Sequence, residues 1–145
     1  MTTTPTTPDA LLDRNGLEVL PLDECWAMVE RAVLGRLAFQ HEGGTVILPV
    51  THLLEGRTVV FRSTRGSKFD ASVMARPAVF EVDEWDADSR TGASVIVNGT
   101  LDVVDDTEAL DQRGHAPWAP LAGQPLWLQL RALDISGRRI RPESS

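Results

Sequence analysis

The chain has 145 residues, 42% of them hydrophobic, and a formal net charge of −7 at pH 7. That length sets one domain with a core of its own, and the composition is that of an ordinary soluble globule. The acidic balance argues against nucleic acid and anionic membranes as partners, and no apolar run approaches the roughly 18 residues of a membrane span. The single cysteine, Cys25, excludes an internal disulfide and a multi-cysteine metal site. No signal peptide is visible in the first eight residues, so a cytoplasmic location is the expectation.

Residues 1–15 read as a flexible tail, because prolines and threonines recur there without apolar periodicity. Residues 16–145 read as one domain. Leu22, Trp26, Val29 and Val33 form a helical stripe that Gly35 ends, with Asp23 and Glu24 at the start and Arg31 at the finish. Cys25 falls in this helix beside Trp26 and Met28 and reads as a buried structural thiol. Residues 36–40 are strand-like, and His41 to Gly44 make a hairpin turn. A strand over 45–53 follows, with Val46, Leu48 and Val50 on one face and Ile47 on the other. Pro49 implies an edge or a bulge in it.

The most informative stretch is Arg57 to Ala75. It starts as a strand through Val59, Val60 and Phe61. It becomes a polar, basic turn at Ser63, Thr64, Arg65, Gly66, Ser67 and Lys68, and it continues as a helix over about 67–75. A helix start offers unpaired N–H groups and the positive end of a dipole. Three hydroxyls and the cations Arg62, Arg65 and Lys68 surround it, and an acidic chain has no need of that grouping for solubility. The stretch reads either as a phosphate site or as an ordinary capped helix.

Residues 78–83 form the next strand, and the charged run 83–90 reads as a solvated loop. The longest strand is 93–104, with Gly99 at a bend or bulge. A short helix over 107–112, a proline-rich loop over 114–125, a strand over 127–133 and a last strand over 135–140 after a turn at Gly137 complete the chain. About six strands joined mostly by hairpins favour an antiparallel barrel over a parallel α/β sheet.

In this order the motifs GRLAF, LPV, VVFRST-x-GSK, AVFEVDE, TG-x-SVIVNG and GRRI resemble the flavin-binding split-barrel family that includes pyridoxamine 5′-phosphate oxidase. The similarity runs from about Leu20 to Arg141 and points to the small bacterial members. It implies a mainly β fold, a six-stranded antiparallel Greek-key split barrel of the FMN-binding type, assembled as a homodimer. The implied function is an FMN-dependent oxidoreductase acting on a small organic substrate. The alternative is a non-catalytic protein binding flavin, the deazaflavin F420 or haem. Carried over by motif, the cofactor contacts are Val50 and Thr51 along the ring, Arg62, Ser63, Thr64, Ser67 and Lys68 at the phosphate, and Ser94 on the long strand. Thr51 and His52 stand where close relatives often have Asn-Tyr, and Ala93 stands where a Trp is common.

No catalytic residue is assigned, and the flavin itself would carry the redox chemistry. His41 reads as solvated. His52 reads as a polar surface residue or a proton-transfer group beside the ring. The spacing of the histidines and of Asp83, Glu84, Asp86 and Asp88 fits no metal site. Trp118 and Trp127 are candidates for a pocket lining, and Trp26 and Trp85 for packing.

Overall fold

A computed structural model describes residues 11–64, 75–113 and 125–141; of Thr64 and Pro125 only the backbone is described. Helix α1 spans Leu22–Arg31. Its buried residues are Cys25, Trp26, Met28 and Val29, the i, i+3, i+4 pattern of a core-facing stripe. The expected stripe is therefore rotated: Leu22 and Val33 are exposed. The helix also ends before Gly35, which lies inside a strand. There a Cβ would run into the Phe80 ring, so this glycine makes room rather than caps.

The strands are β1 (Glu18–Val19), β2 (Leu34–His41), β3 (Gly44–Thr51), β4 (Leu53–Glu55), β5 (Thr58–Thr64), β6 (Arg76–Asp86), β7 (Thr91–Val103) and β8 (Pro125–Arg139), with the short helix α2 at Glu108–Asp111 after β7. All pair antiparallel in the order β3-β2-β6-β7-β8-β5-β4, and β1 adds to β8. The run β6-β7-β8 with β5 returning beside β8 is a Greek key. The expected mainly β Greek-key barrel is thus present, with two short strands beyond the six. The chain forms β2 and β3 around Glu42 and Gly43, both at positive φ, as a two-residue hairpin requires. Pro49 sits on the edge strand β3.

Alternation sorts each strand into an inner and an outer face. Leu37, Phe39, Phe61, Phe80, Val95, Val97, Leu101, Leu128 and Leu130 fill the barrel, capped at one end by α1. The register of β7 on β8 shifts between Asn98 and Gly99, where Leu133 is the extra residue. A Cβ on Gly99 would collide with the Arg131 carbonyl, so the bulge needs glycine there. The two strands expected after residue 125 are one continuous strand, without a turn at Gly137. A Cβ on Gly137 would lie 2.8 Å from Cys25 Sγ and 2.9 Å from Leu20, so the glycine lets α1 pack on β8. Cys25 is buried, and burial pushes its thiol up. The run 83–90 contributes to β6 as far as Asp86 and turns at 87–90.

Of the expected tail, residues 11–15 touch the body. Asp13 accepts hydrogen bonds from the Asn15 and Leu17 amides and from Arg138 Nε. The expected helix over 67–75 and the loop over 114–124, with His115 and Trp118, lie outside the described residues. Among the described residues no helix is long and apolar enough to cross a membrane.

The strand expected over 45–53 breaks at His52, which is 5% exposed and not a surface residue. The sheet's two edges, β3 and β4, are consecutive in the chain and separated by this residue alone. His52 Nε2–H donates to the Val29 carbonyl at 2.8 Å, its amide donates to the Val33 carbonyl at 3.3 Å, and its ring meets Phe80 edge-on at 4.8 Å. Replacing His52 by Phe keeps a ring but strips Val29 of its donor. Stability should fall by about 1–3 kcal/mol, the cost of a buried unsatisfied carbonyl. Urea unfolding of both proteins measures it, and an unchanged midpoint would show that Val29 finds another donor.

Candidate functional site

Strand alternation distributes the sequence-predicted contacts over two faces. On β3, Val50 points inward and is buried, whereas Thr51 shares the outer face and pairs with Leu34. On β5, Ser63 follows Val59 and Phe61 to the buried inner face. Arg62 takes the opposite face with Val60, so the neighbouring Arg62 and Ser63 do not converge. On β7, Ser94 lies on the outer face opposite Asp83 and Arg138, whereas Ala93 lies on the inner face with Val95. Ala93 lines a recess of about 250 Å³ with Glu84, Trp85, Gly92 and Arg139. The strands β3 and β5 do come near each other, at the place where the sheet curls closed. Thr64 ends β5, and Ser67 and Lys68 fall outside the described residues.

What Arg62 meets is a second, smaller apolar cluster on the outer side of the barrel. Val60, Leu110 and Trp127 form it, with Leu53 and Val104 packed against them and α2 laid over the strands. The β5–β8 register places Trp127 directly opposite Arg62, and the guanidinium carbon stands 5.3 Å from the ring centroid. Trp127 Nε1–H donates to Asp111 Oδ1 at 2.7 Å, and the Thr107 hydroxyl donates to Asp111 Oδ2 at 3.1 Å. These bonds, the Trp127 one first, hold the Asp111 carboxyl below the usual carboxylate range, and the Arg62 charge adds to them. Asp111 therefore orients the indole and spends both oxygens on neutral donors. Arg62 Nε is buried and has no hydrogen-bond partner among the described residues. A buried guanidinium N–H without an acceptor is costly unless a ligand supplies one.

Beside this stack lies a cleft of about 540 Å³, lined by Arg62, Val103, Val104, Asp105, Thr107, Asp111, Leu126 and Trp127. Its size suits a small-molecule or cofactor site. The sequence pointed to Arg62 and Trp127, but Asp105, Thr107 and Asp111 carry no motif. They reach the cleft because the chain after β7 folds back over β5 and β8, and only the strand register reveals that.

Around Ser94 the outer face is charged. Glu81 pairs in register with Arg36 and Ile96, and Asp83 pairs with Ser94. The Glu81 carboxyl is pushed up to about 7: burial is the largest cause, followed by the hydrogen bond and repulsion from Asp83, against the pull of Arg36. A raised folded-state value means that the unfolded chain loses this proton first, near 4.5. The stability Glu81 contributes is complete below that pH and is lost as pH rises through about 7. In Glu81→Gln the melting temperature should fall less than in wild type between about pH 5 and 8. Parallel curves for the two proteins would show that Glu81 ionises in the ordinary range.

Residues 21–139 match the family model described as pyridoxamine 5′-phosphate oxidase. An uncharacterized protein of Mycobacterium tuberculosis is 31% identical over 132 residues, which cover 86% of each chain. Among solved structures, a FAD binding protein of Mycobacterium smegmatis superposes with a TM-score of 0.70 at 27% identity, over 85% of this chain and 99% of that one. A FAD-binding protein of Mesorhizobium loti has the same fold, with a TM-score of 0.70 at 20% identity over 86% of this chain and 99% of that one. So has a FAD and haem binding protein of M. smegmatis, with a TM-score of 0.66 at 17% identity over 86% and 75%.

Proposed function

The chain belongs to the pyridoxamine 5′-phosphate oxidase family, and we propose that it is a flavin-dependent oxidoreductase that uses FMN on a small organic substrate. The observation that carries the reading is Arg62: a half-buried cation at the end of β5, with an unpartnered Nε–H, in the motif that the family resemblance assigns to the phosphate. The FAD binding protein of M. smegmatis supports a flavin as the ligand type. Arg62 would bind the phosphate, and Trp127, oriented by Asp111, packs against its guanidinium. Thr51 and Ser94 lie on the outer face, but Ser94 stands opposite Arg138, eleven residues along β8 from the Trp127 that faces Arg62, so the two do not converge within one chain. Bound flavin supplies the electron transfer. The protein's own part is to bind, orient and exclude water. His52 is spent on the Val29 carbonyl through Nε2, so the reading assigns it to structure and not to proton transfer.

Arg62→Gln removes the charge-assisted contact, worth about 1.5–3 kcal/mol, and should weaken FMN binding roughly ten- to a hundredfold. Riboflavin, which lacks the phosphate, should lose little. Lys68→Ala should show the same contrast if the turn after β5 joins the phosphate site. Flavin absorbance titrations measure both variants, and turnover with a reduced nicotinamide donor separates an oxidoreductase from a flavin carrier. Equal losses for FMN and riboflavin would remove Arg62 from the phosphate site. Wild-type protein that binds neither flavin would overturn the reading, and F420 or haem would then be the ligands to try.

We propose further that the chain is a homodimer. The outer face of β3-β2-β6-β7 leaves Ile47 63% exposed and Ile96 39% exposed, with Leu34 and Trp85 also open to solvent. Apolar side chains spread over one sheet face favour a partner surface. Sedimentation at micromolar concentration should give twice the chain mass, and a monomer would overturn the proposal.

A further inference from the structure

The outer face of β3-β2-β6-β7 carries one group of charges that does not balance. Glu81 stands at its middle, paired in register with Arg36 on β2 and with Ile96 on β7. Asp83, two residues on, points from the same side of β6, and its Oδ2 lies 4.0 Å from a terminal nitrogen of Arg36. The Glu81 and Asp83 carboxyls are hydrogen-bonded to each other. One cation therefore serves two carboxylates. Among the described residues no other charge stands next to the group. On this face β3 sets Pro49 beside Arg36, and β7 presents Ser94, Ile96 and Asn98. Beyond them on β8, Arg138 is bonded to Asp13, and Asp134 accepts from Asn98. A hydrogen bond between two carboxyls needs a proton on one of them. With that proton the group is neutral, and without it the group carries one negative charge.

We propose that this face joins two copies of the chain through a contact that requires the proton shared by Glu81 and Asp83, so that the dimer holds in weak acid and loosens above neutral pH. The proposal rests on the homodimer reading and adds its control. In a two-fold contact the same patch serves both copies, so one interface takes in both groups. Fully ionised, it holds two uncompensated negative charges, which lose water as Ile47, Leu34 and Ile96 around them come together. With one proton on each copy, Glu81 donates to Asp83, Asp83 faces Arg36, and no charge is left over. The single chain already stands near the balance point. Burial first, then the bond to Asp83 and its repulsion, push the Glu81 carboxyl up to about 7 against the pull of Arg36. Association buries the carboxyl further and raises it again. A dimer that holds more protons than its separated chains tightens as pH falls and weakens as pH rises.

The experiment is sedimentation of the full chain over a dilution series, at about pH 6 and about pH 8 and at one ionic strength. The wild-type dimer Kd should be about ten- to a hundredfold weaker at the higher pH, because one proton leaves each chain as the dimer parts. Glu81→Gln keeps a donor toward Asp83 and cannot ionise. Its Kd at both pH values should match that of wild type at the lower one. Asp83→Asn, at an exposed position, leaves Glu81 to Arg36 alone and should also lose most of the pH step. It stands in if Glu81→Gln does not fold. Wild-type dimers equally tight at both pH values overturn the shared-proton contact and leave the homodimer standing. A step of unchanged size in either folded variant overturns the shared-proton contact as well. A chain that is monomeric at both pH values at micromolar concentration overturns the homodimer reading, and this proposal with it.

Discussion

Val29 closes helix α1 with a carbonyl that, among the described residues, no backbone amide reaches, and the imidazole of His52 donates to it across 2.8 Å. The last carbonyls of a helix need partners from outside the helix, and a histidine at that end suits the dipole as well. Here the bond also fixes the corner at which β3 hands over to β4, the two opposite edges of the sheet. A sheet whose edges are one residue apart in the chain has to curl. The position of α1 over the open end of the barrel and the curl of the sheet are therefore set at one residue. Gly35 and Gly137 are the steric counterparts of that bond. One leaves room for Phe80 under the corner, and the other for Cys25 and Leu20 where α1 lies on β8.

The same two-residue period that builds the barrel decides what the site can contain. A motif read along the chain counts neighbours, but a strand sends neighbours to opposite faces. Arg62 and Ser63 stand side by side in FRST, yet one meets Trp127 outside the barrel and the other lies among core residues inside it. Ala93 and Ser94 are divided in the same way. Partners come instead from across the ladder. Trp127 stands opposite Arg62 and Asp83 opposite Ser94, and neither pair is close in sequence.

This explains which parts could be read from the residues. Alternation in Val46-Ile47-Leu48, the turn at Glu42-Gly43, the edge at Pro49 and the irregularity at Gly99 each follow from local chemistry, and each stands in the structure. At Gly35 and Gly137 the structure departs from the expectation because, in sequence, a glycine that caps or turns looks the same as one that admits a neighbouring side chain. The neighbours that decide it, Phe80 and Cys25, are distant in the chain. His52 departs from the expectation for a related reason. Its burial depends on the carbonyl of a helix twenty-three residues earlier, which no window around Thr51 contains. The cleft is the extreme case, because Asp105, Thr107 and Asp111 enter it only once the segment after β7 has folded over β5 and β8.

The charges around the cleft differ from those on the rest of the surface. Seven arginines, Arg31, Arg36, Arg57, Arg113, Arg131, Arg138 and Arg139, are paired with carboxylates in the described structure. Most of those pairs are exposed, so each contributes little to stability and mainly cancels local field. Arg62 is treated differently. The nearby Asp111 keeps both oxygens on Trp127 and Thr107, so its negative charge lowers the local potential without taking up the guanidinium. A cation left with hydrogen-bonding capacity, in a chain of net charge −7, attracts few anions from a distance. Any ligand of this cleft would therefore be held by contact and not by long-range attraction.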